Sequence, residues 1–135
     1  MKFNIKKCRI YVREPMLKYE IEFVVNYPRK YFVEKILKKE FKNDHEKWED
    51  FIKDEDPDGQ CILENGLIYL RVFDGSPYSV GNLTHEAIHY AEWILEIRGV
   101  NENKPSEALA YLTEFIVRSF LTQYQKLNAR PSKRR

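Results

Sequence analysis

The stretch VGNLTHEAIHYAEWILEIRG, residues 80–99, constrains the fold more than any other part of the chain. Leu83, Ala87, Ile88, Ala91, Ile94 and Leu95 recur at helical spacing and cover more than one flank, so the helix has to be packed on several sides and sit centrally. One strip is left polar and holds His85, His89, Glu92 and Glu96. Gly99 supplies the stop, because glycine adopts the left-handed conformation that commonly ends a helix. A fold containing such an element needs other layers to cover it.

The segments on either side can supply them. In IKKCRIYV the residues Cys8, Ile10 and Val12 fall on one face, and in KYEIEFVV Tyr19, Ile21, Phe23 and Val25 alternate with Glu20 and Glu22, the period of a half-buried strand. Glu14-Pro15 marks the turn between them. Pro28 then opens RKYFVEKILKKEF, where Phe32, Val33, Ile36, Leu37 and Phe41 form an apolar stripe at helical spacing, the pattern of a helix that covers a sheet. DHEKWEDFIKDEDPD reads as an acidic turn region with a surface histidine, His45. Asp54, Asp56, Asp58 and Gly59 nearly match a calcium loop, but its twelfth position is Asn65 and Pro57 interrupts it, so the turn reading is preferred. QCILE and LIYLRVF flank Asn65-Gly66, the favoured pair for a two-residue type I′ hairpin. DGSPYSVGN reads as a loop with Asn82 as N-cap. A last helix is expected from Lys104 to Lys126, with Leu112, Phe115, Ile116, Phe120 and Leu121 toward the core.

These elements predict an α+β fold: a small, mostly antiparallel sheet of about four strands, one covering helix, and two C-terminal helices. With 43% hydrophobic residues in 135, residues 1–128 suffice for a single domain with its own core. Residues 129–135 form a basic tail expected to be disordered.

The polar strip of the central helix carries chemistry. His85 and His89 are four apart, so their imidazoles can converge on one ion, and Glu86 lies beside them where a carboxylate can reach a water without ligating the metal. Glu107 follows His89 by 18 residues, enough to finish one helix, turn, and begin an antiparallel one facing the pair. Two histidines and one carboxylate leave a tetrahedral zinc ion, Zn2+, one open position, the catalytic arrangement.

HEAIH followed at this distance by SEALAYL resembles the gluzincin-type metallopeptidases, in which an HExxH helix is followed by a helix beginning ExxA. The similarity covers about residues 60–120. It is greatest to the small phage-encoded zinc metallopeptidases, with the minigluzincins and the ImmA/IrrE type as broader relatives. The resemblance implies a zincin-like fold, a zinc cofactor held by His85, His89 and Glu107, Glu86 as general base, and a peptide or protein substrate in a host cytoplasm. Many relatives carry Asp or Asn four residues after the third ligand, to hold a ligand histidine; here that position is Tyr111. Its phenol could serve that purpose or polarise a substrate carbonyl, a part for which Tyr90 is a second candidate. Glu92 and Glu114 could orient the histidines, though each is more simply a surface carboxylate. LIYLRVF is the candidate sheet edge onto which an extended peptide would add, with an inner strand whose two edges are both occupied as the equal alternative.

Other readings compete with hydrolysis. A catalytically silent, zinc-stabilised factor that engages a host protein would show the same residues. A nucleic-acid-associated peptidase of the SprT-like kind is the weaker rival. Residues 1–42 carry a net +7 and 129–135 a net +4, but no reader motif accompanies the charge. Cys8 and Cys61 lack CxxC spacing, and MKFNIKKC has no apolar stretch after its lysines, so reduced thiols in a cytoplasmic protein are expected. No apolar run reaches the length of a membrane span. Oligomeric state is not readable.

Overall fold

The computed structural model describes residues 6–15, 18–37, 59–62, 66–99 and 107–129. The acidic segment with His45, the near-calcium loop up to Asp58, Phe41, Asn65 and residues 130–135 lie outside them.

The architecture is α+β with a mixed sheet. Strands β1 (Cys8–Glu14) and β2 (Tyr19–Val25) form an antiparallel pair, and β3 (Gly59–Ile62) and β4 (Leu67–Leu70) form another. They lie in the order β1-β2-β4-β3, with β2 and β4 running parallel at the join. The alternation in β2 works as the sequence suggests: Tyr19, Ile21, Phe23 and Val25 are buried on one face while Glu20 is exposed.

That face is covered by two long helices, α2 (Pro77–Ile97) and α3 (Glu107–Ala129). Phe120 is the hub of the layer, with its ring 4.7 Å from Phe23 and 5.0 Å from Phe73. Ile10, Val12, Ile68, Leu83, Ala87, Ile94 and Ile116 complete the same core. The opposite face is covered by α1 (Arg29–Tyr31), which widens into π-helical turns over Phe32–Leu37. Phe32 stacks on Tyr69 with ring centres 4.1 Å apart, beside Val24, Ile36 and Leu67. The sheet therefore has an apolar layer on both faces, which is why all four residues of β4 are buried.

Three local readings need correction. LIYLRVF does not supply a sheet edge: β4 is an inner strand with β2 and β3 on its two sides. The strand at that edge is β3, whose four residues are too short to display a period. Asn82 does not cap the central helix. Ser76 does, accepting from Ser79 N at 3.3 Å with Pro77 at the first helical position, while Asp74 Oδ1 accepts from Ser76 N at 2.9 Å. The density of Gly and Pro resembles a loop, but Ser followed by Pro is the stronger start signal, since proline's fixed φ suits the first turn. Tyr90 is not in a cleft: it is 2% exposed and packs against Tyr19 with ring centres 5.7 Å apart.

Two glycines act as read. Gly99 has φ +72 and closes α2, its N–H donating to Glu96 O at 3.1 Å. Gly66 has φ +63, and a Cβ there would lie 2.7 Å from the carbonyl oxygen of Glu20, so only glycine fits; the expected two-residue turn at Asn65-Gly66 is not the register found, since Ile62 pairs with Leu67 and four residues separate the paired ends. Among the described residues, no helix is long and apolar enough to cross a membrane.

Candidate functional site

The site is built on one face of α2, where it passes β3. Helical spacing puts His85 and His89 one turn apart on the exposed side, and the structure brings them together: their Nε2 atoms are 3.2 Å apart, with ring planes at 82°. Zinc–imidazole bonds of about 2.0–2.1 Å in a tetrahedron separate two ligand nitrogens by about 3.3 Å. The pair therefore fits two corners of a zinc site without rearrangement. The same separation also allows one imidazole to donate to the other, so the pair is satisfied with or without an ion.

Glu86 lies beside the pair and is tucked against Gly59 of β3. It is 8% exposed, and a Cβ built on Gly59 would come within 3.1 Å of its Cγ and 3.4 Å of its Oε1. The carboxylate is thus sheltered under the open end of β3. Burial raises its pKa, and the neighbouring imidazoles of His85 and His89 offset part of that rise. Beside it, burial and then the Glu86 charge push the Cys61 thiol up to about 12. Cys61 is a free cysteine that stays protonated, packed against the core as a small apolar group.

Glu107 opens α3, as its position in SEALAYL suggests. It borders a groove shared with Thr84 and Ile88 of α2, but the structure does not gather it with the imidazoles. Among the described residues, no three His, Cys, Asp or Glu side chains form a group able to hold a metal ion. The chain that delivers Glu107, residues 100–106, lies outside the described residues. Tyr111, one turn along, sends its hydroxyl to the sheet: it donates to Glu14 Oε1 at 3.2 Å. Burial and the Glu14 charge raise the pKa of that phenol, and the contact fastens α3 to the end of β1. Glu92 is exposed, and Glu114 pairs with Arg118 on its own helix. Both are surface carboxylates.

Sequence reading missed Asn26. It is 8% exposed, has φ +65, and bridges two chain segments. Its Nδ2 donates to Lys6 O and to Phe73 O at 2.9 Å each, and its Oδ1 accepts from Phe73 N at 2.5 Å. Its own N–H donates to Leu70 O at 2.8 Å. Asn26 therefore clasps the ends of the parallel strands β2 and β4 immediately before the chain turns into α2. The available signal was Asn following an apolar strand, since asparagine tolerates positive φ better than other non-glycine residues.

No family model, curated protein or solved structure matches this chain.

Proposed function

We propose that the chain is a zinc-dependent hydrolase of peptide bonds, with His85 and His89 as imidazole ligands, Glu107 as the carboxylate ligand and Glu86 as general base. The observation that carries this reading is the convergence of two Nε2 atoms at 3.2 Å next to a sheltered carboxylate whose pKa is raised. When bound, zinc supplies Lewis acidity: it polarises a carbonyl oxygen and makes water acidic enough to release a proton near neutral pH.

The protein's own groups account for the remaining steps. Glu86 accepts the proton as the water oxygen adds to the carbonyl carbon, then returns it to the amine nitrogen as the C–N bond breaks. A carboxylate must do both, and the raised pKa brings its acid form nearer to working pH. The far side of β3 carries no strand among the described residues, so an extended substrate can pair with its backbone and pass over Glu86. Tyr111 acts at a distance in this scheme. Its bond to Glu14 fixes the first turns of the helix that bears Glu107.

The separation of Glu107 from the imidazoles favours a second reading, in which the two-histidine site binds zinc weakly and the protein engages a partner without cutting it. One set of measurements divides them. Metal analysis of protein purified without added zinc, joined to cleavage of a peptide library, should give one zinc per chain and turnover. Glu86→Gln should keep the metal and lose at least a thousandfold in kcat, whereas His89→Ala and Glu107→Gln should lose metal and turnover together. Full turnover by Glu86→Gln would end the hydrolase reading. Zinc retained by Glu107→Gln, with no cleavage by any form, would establish the silent one.

A further inference from the structure

The pair of long helices leaves a second surface open beside the histidines. On the solvent side of α2 and α3 a groove of about 710 Å³ is floored by Thr84, Ile88, Leu109, Ala110, Thr113 and Val117. Ile88 is 36% exposed there, next in sequence to His89 of the polar strip. The Thr113 hydroxyl is buried with no hydrogen-bond partner. A large aliphatic side chain left about one-third in water is a cost that an occupant would remove.

The charge of the groove identifies its occupant. Its remaining lining residues are Glu107 and Glu114, and no Lys or Arg lines it among the described residues. Glu92 follows Ile88 by one helical turn and is exposed, and Glu96 follows by a second turn. Arg118 pairs with Glu114, so the net negative charge beside the groove comes mainly from Glu107, Glu92 and Glu96. From Glu107 to Val117 the groove spans ten helical steps, about 15 Å, the length of four or five extended residues. We propose that this groove docks a basic, apolar peptide segment, placing aliphatic side chains on Ile88, Ala110 and Val117 and lysine or arginine side chains against Glu107 and Glu114. Binding here needs no catalysis and so goes beyond the hydrolase reading. A segment seated in the groove would lie alongside His85 and His89.

The test uses the full chain and a fluorescein-labelled peptide in which leucines alternate with lysines, compared with the same peptide carrying glutamate in place of lysine. Anisotropy is read with zinc present and again in EDTA. The leucine–lysine peptide should bind at least tenfold tighter than its glutamate counterpart under both conditions. Ala110→Trp, at an exposed position, fills the groove, and Glu114→Lys reverses its charge. Each should weaken binding at least tenfold while zinc content stays as in the wild type. Equal affinity for the two peptides, or affinity unchanged in Ala110→Trp, overturns the assignment. So does light scattering that shows a dimer abolished by Ala110→Trp, because a second copy then occupies the groove. Peptide binding without cleavage by any form supports the groove and removes the hydrolase reading, so the two stand or fall separately.

Discussion

The two edges of the sheet are treated differently. At the β1 edge, α3 reaches across: Gln123 Nε2 donates to Tyr11 O at 2.7 Å, and Lys6 Nζ to Leu127 O at 3.4 Å. The outward side chains of β1 are Arg9, Tyr11 and Arg13. Arg9 and Tyr11 bond to Glu22, and Arg13 lies 3.5 Å from Glu20. Charge and a covering helix are the usual means of stopping a strand from pairing with another chain. β3, Gly59–Ile62, carries no charged residue of its own, and α2 passes it with Glu86 against Gly59. One edge is defended and the other lies beside Glu86, and this contrast supports the proposed substrate strand at β3.

The largest expected effect falls on what holds the two edges in one sheet. Asn26→Ala removes three side-chain hydrogen bonds, strands the buried N–H of Phe73, whose C=O still accepts from the Tyr124 hydroxyl, and puts alanine at φ +65. A buried backbone group without a partner costs about 1–3 kcal/mol, so chemical denaturation should show a loss of about 3 kcal/mol. A loss below about 1 kcal/mol would mean that the β2–β4 pairing holds without the clasp.

Next comes the open edge. Gly59→Ala places a methyl group 3.1 Å from Glu86 Cγ, and the carboxylate has to shift by a few tenths of an ångström. Turnover on a cleavable peptide should fall about tenfold with KM little changed, since misplacing a base costs rate more than binding. Arg13→Ala, at the defended edge, should leave both constants alone. Equal effects at the two edges would remove the distinction between them.

How much of this was legible follows from the range of each interaction. The histidine pair, the alternation in β2 and the Gly99 stop are set by neighbours within about one turn or one strand, so residues 80–99 and 19–25 announce them. Strand order is not local. The parallel pairing of β2 with β4 depends on Asn26 meeting Phe73, 47 residues away, and no spacing encodes that contact. The hairpin of QCILE with LIYLRVF was legible, but not which of its strands lies at the edge, because a fully buried inner strand is the more apolar of the two. Ser76 was masked by glycines that also fit a loop. Glu107 could be placed at the start of α3 from sequence, but its distance from the imidazoles depends on how two helices pack.

Buried under β3, Glu86 also gives the open edge a pH signature. Its folded pKa is raised by burial, so the protonated form is the one the fold favours. The associated stability is present below the unfolded carboxylate value and is lost as pH rises through the folded one. In zinc-free protein, Glu86→Gln carries no desolvated charge at any pH. Its thermal midpoint should match the wild type in acid and exceed it by a gap that opens as pH rises through the carboxylate range and then levels off. A constant gap across that range would mean that Glu86 is more solvated than its position under Gly59 implies.

The smallest effect belongs to the defended edge. Gln123→Leu deletes the bond to Tyr11 O, an exposed contact worth about 0.5–1 kcal/mol, so the thermal midpoint should fall by only a few degrees. What should change more is association. With that carbonyl released, β1 offers an acceptor to another chain, and aggregation during slow heating, followed by light scattering, should begin earlier than in the wild type. Arg9 and Arg13 still oppose pairing, so the shift should grow when salt screens them. If Gln123→Leu aggregates no faster at any ionic strength, the charges of Arg9 and Arg13 alone guard β1, and the difference between the edges then lies in the charge that Gly59–Ile62 lack.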